Sequence, residues 1–176
     1  MAWKNGPLAL YHGTDDLSAA AITPSPSSVK KHNVSLSKCS ALTDFGRGFY
    51  TTTNLHQAKN WANIRYKLTL TTSRPAARAV VLRFDVYRDA LAKLNTLGFV
   101  VEASSPDYFD FITYCRKGRS PHLFRGSRDY DVVFGPVSLW PQTLVIKDCD
   151  QVSFHTNRAL QVLPTPVIHR RGHPRF

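Results

Sequence analysis

Two stretches of the sequence combine residue types that could do chemistry. The first is His12-Gly13, which ends the short apolar run Leu8-Ala9-Leu10-Tyr11. An imidazole can hydrogen-bond a sugar hydroxyl, and a glycine lets a ligand approach bare backbone N–H and C=O groups. The second is Asp44-Phe45-Gly46-Arg47-Gly48-Phe49-Tyr50. Two glycines at i and i+2 with Arg47 between them make a tight backbone feature able to cradle an anion. G-x-G-x-x-G opening a helix is missing, as is G-x-x-x-x-G-K-[ST], so neither a Rossmann site nor a P-loop is expected. Taken singly, a strand-end histidine or a strand aromatic is more often structural than functional.

Composition narrows the chemistry further. Glu102 is the only glutamate among the 12 acidic residues, so a mechanism needing a glutamate has one candidate. Cys39, Cys115 and Cys149 are odd in number and form no Cys-x-x-Cys pair. Reduced thiols are expected, with no disulfide framework and no metal site. The 23 Lys+Arg exceed the 12 Asp+Glu to give +11, which suggests an anionic partner: nucleic acid, a dinucleotide, an acidic protein or a membrane surface. A hydrophobic share of 43% in 176 residues describes a globular domain rather than a disordered polyelectrolyte. No apolar run reaches the roughly 18–20 residues that span a membrane. The N-terminus carries no signal-peptide pattern, so a cytoplasmic location is expected.

These residues need elements to hold them. Leu8–His12 reads as a strand entering a turn, and Phe49–Thr53 as a second strand. Asn54 can cap a helix over about 55–67, with Leu55, Ala58, Trp61, Ala62 and Tyr66 as its apolar stripe. Residues 79–87 read as a strand and 106–117 as a helix with Pro106 in its first turn. Asp131–Phe134 reads as a strand stopped by Gly135-Pro136. Val152–His155 alternates as a strand, and Thr156 can cap a last helix through Ala159, Leu160 and Leu163. Residues 23–33 read as a surface loop. The pattern is not βαβ, so an α+β fold with a mostly antiparallel sheet is expected. One domain over residues 1–163 and an extended basic tail over 164–176, able to touch an anionic partner, complete the expectation.

Leu10-Tyr11-His12-Gly13-Thr14, the Asp44–Thr52 segment and Gln57-Ala58-x-x-Trp61-Ala62 together resemble the ADP-ribosyltransferase superfamily. The branch is the one with a His-Tyr-Glu triad, typified by diphtheria toxin and the poly(ADP-ribose) polymerases. Within it the sequence looks most like a small bacterial family catalogued as a domain of unknown function. Asp129–Val137 and Asp150–Leu160 resemble that family's later segments. The resemblance implies a split antiparallel β-sandwich with flanking helices. It implies a toxin- or effector-like mono-ADP-ribosyltransferase that uses NAD as substrate and needs no metal. Its catalytic residues would be His12, Tyr50 and Gln151. NAD would be bound by His12, Gly13, Thr14, Gly46, Arg47, Gly48, Tyr50 and Thr51. Gln151 stands where the branch has glutamate, and Glu102 lies in the wrong part of the chain to replace it. Gln can accept a bond from a ribose hydroxyl but offers no full charge. Such a charge, about 4 Å away at an effective dielectric of about 20, is worth about 4 kcal/mol.

The implied partners are NAD, a macromolecular acceptor (nucleic acid or protein) and an acidic antitoxin or inhibitor. Three alternatives remain open. Water could be the acceptor, giving an NAD glycohydrolase. The chain could be a basic nucleic-acid-binding module without catalysis, with Tyr130 beside Arg125 and Arg128 as its surface. His12 and His155 could serve a nuclease as base and acid.

Overall fold

A computed structural model describes residues 5–100 and 105–176. Glu102 therefore lies outside the described residues. The order is β1 (Leu8–Asp15), α1 (Asp16–Ile22), β2 (Phe49–Thr51), α2 (Leu55–Thr69), β3 (Ala79–Val86), α3 (Arg88–Leu91), β4 (Thr96–Gly98), α4 (Pro106–Arg116), β5 (Val132–Ser138), β6 (Val145–Phe154), α5 (Asn157–Leu160) and β7 (Val167–Arg171). This is an α+β chain with two sheets, ordered β1-β3-β7 and β2-β6-β5-β4. β4 runs parallel to β5, whereas β1 and β7 each pair antiparallel with β3, and β6 pairs antiparallel with β5. No described helix is long and apolar enough to cross a membrane.

The chain divides into two compact units. The first comprises residues 1–34, 51–91 and 162–176. In it β1 pairs along its whole length with β3, and α2 packs on one face through Ala58 and Ala62 against Ala79 and Val81. Asn54 Oδ1 accepts from the His56 and Gln57 amides and so caps α2. Trp61, expected in the buried stripe of this helix, is instead 54% exposed. The buried positions are the small ones, because the helix comes so close to β1 that a Cβ on Gly13 would lie 2.0 Å from the Ala58 carbonyl oxygen.

The first unit also corrects the expected tail. Residues 167–171 are the strand β7, and Gly172 and Pro174 exchange backbone bonds with Ala79. Leftover donors and acceptors along β3 recruit this segment although its sequence reads as a proline-rich end. Residues 23–33 hold no helix or strand.

The second unit comprises residues 35–50 and 92–161. Its core is aromatic: Phe45, Tyr108, Phe111, Ile112, Cys115 and Val133 are fully buried. Phe99 stacks near Phe45 and meets Tyr108 edge-on at 5.2 Å, an arrangement worth ~0.5–1.5 kcal/mol per pair beyond burial. β5 does not stop at Gly135-Pro136 as expected. It runs on to Ser138 through a register shift just after Pro136, where a proline's missing donor is tolerated. α5 ends at Leu160, capped by Thr156, whose side chain accepts from Ala159 N–H. The cysteines are free.

Candidate functional site

In the second unit the chain from Thr43 to Tyr50 folds back on itself. Gly46 has φ +75, a left-handed conformation that favours glycine. The Tyr50 hydroxyl donates to the Gly46 carbonyl at 2.8 Å and accepts from the Phe45 amide at 2.9 Å, with Thr43 Oγ1 2.8 Å away. Burial, the leading cause, together with the Asp44 charge, pushes this phenol far above its ordinary value, against the opposing bonds from Thr43 and Phe45. Tyr50 is therefore a fixed, protonated phenol with a half-buried ring, not a base.

Gly48 answers a different demand. A Cβ there would lie 2.8 Å from His155 Cε1. His155 Nδ1 bonds the Arg47 carbonyl at 2.8 Å, which makes it the protonated nitrogen, and Nε2 faces Ser153 Oγ at 2.7 Å. Burial first, and then the neighbouring His122, lowers His155 to about 4, although the Arg47 bond works the other way. His155 is thus a neutral structural imidazole with both nitrogens engaged. Arg47 itself is exposed and donates to the Cys39 carbonyl at 2.7 Å. The two glycines serve the turn and the histidine, and the arginine between them braces the preceding segment.

Beneath this turn lies a polar cluster that the sequence did not single out. Asp44 is 3% exposed. One of its oxygens accepts from Arg116 Nε at 2.9 Å; the other accepts from the Ser138 amide and from Gln151 Nε2, both at 2.8 Å. Gln151 Nε2 also donates to the Pro136 carbonyl at 2.9 Å. Both partners only accept, so the amide orientation is fixed, and Oε1 is the acceptor end of the side chain. Ser138 Oγ is buried with no hydrogen-bond partner among the described residues. Arg116 comes from α4 and lies over the Trp140 ring. The sequence singles out Asp44, inside the Gly-rich motif, and Gln151, through the resemblance; Arg116 and Ser138 are brought to Asp44 from 72 and 94 residues away.

In the first unit, His12 and Gly13 stand on β1 opposite Leu82 and Val81, and Thr14, 2% exposed, opposite Val80. Tyr11 exchanges both backbone bonds with Thr52 on the edge of β1 away from β3. Backbone groups alternate along a strand, so Gly13 turns its N–H and C=O to that same edge. Beyond the Tyr11–Thr52 bridge β1 has no strand partner there among the described residues. Gly13 faces α2 with its missing side chain, and His12 projects from the opposite face. Thr51 is buried at the end of β2. His12, Gly13, Thr14 and Thr51 thus belong to one unit, and Gly46, Arg47, Gly48, Tyr50 and Gln151 to the other.

The surface expected around Tyr130 is not a basic one. Arg125 pairs with Asp107 at 2.7 Å and Asp110 at 3.3 Å, and Tyr130 packs against the aromatic core. Among the described residues no group of three His, Cys, Asp or Glu side chains could hold a metal ion.

No curated protein and no solved structure matches the chain. A family model described as a protein of unknown function (DUF3990) matches residues 24–139, more than half of the sequence, and the chain belongs to that family.

Proposed function

We propose that this chain is an NAD-dependent mono-ADP-ribosyltransferase, which breaks the bond between nicotinamide and ribose and passes ADP-ribose to a macromolecular nucleophile. The observation that carries this reading is the His12-Gly13 step. Gly13 turns one backbone donor and one backbone acceptor to an edge of β1 that, beyond the Tyr11–Thr52 bridge, has no strand partner among the described residues, and a carboxamide needs one of each. Two such bonds contribute about 1 kcal/mol each and fix the orientation of the nicotinamide. His12 supplies an imidazole for a ribose hydroxyl.

Tyr50 fits a stacking role, since its oxygen is held by the Gly46 turn and its proton stays on. Gln151, with its nitrogen engaged by Asp44 and Pro136, keeps Oε1 for a ribose 2′-OH. The nicotinamide leaves with the electrons of the glycosidic bond, and positive charge builds on the ribose. A carboxamide dipole stabilises that charge less than a carboxylate does, so turnover is slow. Replacing Gln151 with Glu is no simple repair. It would set a second carboxylate about 3 Å from Asp44, and like charges that close cannot both ionise.

Incubation with labelled NAD, alone and with total nucleic acid or total protein, reads nicotinamide release and label transfer together. Release and transfer are expected, with a roughly ten- to hundredfold loss in Gln151→Ala. Release without transfer replaces the acceptor by water. No release under any of these conditions overturns the proposal.

A further inference from the structure

The formal charge of +11 is divided unevenly between the units. Among the described residues the first holds 12 Lys+Arg against 4 Asp+Glu, or +8; the second holds 10 against 7, or +3. Within the first unit much of the surplus gathers on the sheet face that carries α2. Arg83 stands opposite Tyr11 on one side and Val167 on the other. The register shift between Val81 and Leu82 leaves His169 as an extra residue in β7 and sets Arg170 opposite Val81, which packs on α2. His169 sits 5.3 Å from the Tyr11 ring. Partial burial, followed by the charges of Arg170, Arg83 and Lys59, lowers this histidine against the pull of Asp85, so these cations share one neighbourhood. Asp85 accepts from Arg83 at 2.8 Å, which leaves Lys59 and Arg170 without an ion-pair partner among the described residues.

Lys59 in turn lies 5.7 Å above the Phe176 ring. The Asn63 side chain holds the Phe176 backbone through a donated and an accepted bond of 3.2 and 2.9 Å. Next to it Lys67, His173 and Arg175 help line a cavity of about 290 Å³. Lys59, Asn63 and Lys67 follow at i, i+4 and i+8 on α2, so cations and rings alternate along one track from β7 to this cavity.

We propose that this track binds single-stranded nucleic acid, with Lys59, Lys67, Arg170 and Arg175 on phosphates and the exposed Phe176 ring available to a base. A single strand alternates charge and flat π-surface, as the track does. An acidic peptide would use only the cations. None of His12, Tyr50 or Gln151 takes part, so the inference goes beyond the NAD reading and stands or falls without it.

The test is the salt dependence of binding to a fluorescein-labelled single-stranded oligonucleotide, without NAD. Lys59→Gln with Arg170→Gln should weaken binding tenfold or more and reduce the log–log salt slope by about 1.4, or about 0.7 per lost phosphate contact. The charge-matched control, Lys38→Gln with Lys147→Gln in the second unit, should bind as the parent does. Equal loss in both double variants, or no loss in the first, overturns the proposal. So does equally tight binding of polyglutamate or phosphatidylserine vesicles that is weakened by the same two substitutions. A failed NAD assay alongside track-dependent oligonucleotide binding removes the transferase and leaves this interface standing.

Discussion

The two units handle charge in opposite ways. The second takes Asp44 out of water and surrounds its carboxylate with donors from Arg116, Ser138 and Gln151, under a layer of aromatic rings. The first keeps its packing small and apolar, Ala58 and Ala62 on Val81, and displays its cations at the surface. A buried, fully bonded carboxylate is a device for holding groups still. Displayed cations with little compensation are a device for meeting something negative. The contrast separates a rigid polar centre from a contact face.

Asp44→Ala should break this contrast most severely. It leaves the Arg116 charge without its partner and two buried N–H groups without acceptors, a loss of about 3–5 kcal/mol in urea unfolding. The Arg116 side chain is 30% exposed, so part of its charge can turn to water and the lower end of that range is expected. A loss below about 1 kcal/mol would mean the cluster is not the rigid centre described.

His155 gives the next largest effect. Its folded value of about 4 lies below the 6.5 of the unfolded chain, so the folded state binds fewer protons between those values. The stability this contributes is present above about pH 6.5 and is lost as the pH falls toward 4, to the extent of about 3 kcal/mol. Thermal unfolding from pH 7 to 4 should therefore fall more steeply for the parent than for His155→Gln. Parallel curves would contradict a buried neutral imidazole.

In the first unit Gly13→Ala should cost about 1–3 kcal/mol of unfolding free energy, because the new methyl meets the backbone of α2 and not a movable side chain. Unchanged stability would show that α2 can slide away from β1, and would weaken the assignment of that tight packing as the reason for glycine.

Much of the local structure was legible in the residues. The helix over about 55–67 is α2, since Asn54 caps it as expected, and the helix over 106–117 is α4 with Pro106 at its start. The strand over 79–87 is β3. Its partner β7 was not legible, because three prolines and three arginines in residues 164–176 outweigh a five-residue run whose pairing is decided by β3. β5 passes the expected stop at Gly135-Pro136 for a related reason: a bulge lets a strand continue past proline.

The site divides along the same line. Sequence alone singles out His12, Gly13 and the Asp44–Tyr50 motif as candidates, because spacing and residue type are local properties. The fold decided that Gly46 and Gly48 serve a tyrosine and a histidine, that Gln151 donates to Asp44, and that β7 carries cations to the face of α2. Those facts depend on which distant segments arrive next to one another. A hydrogen bond between residues 107 apart in the chain leaves no periodic trace in it.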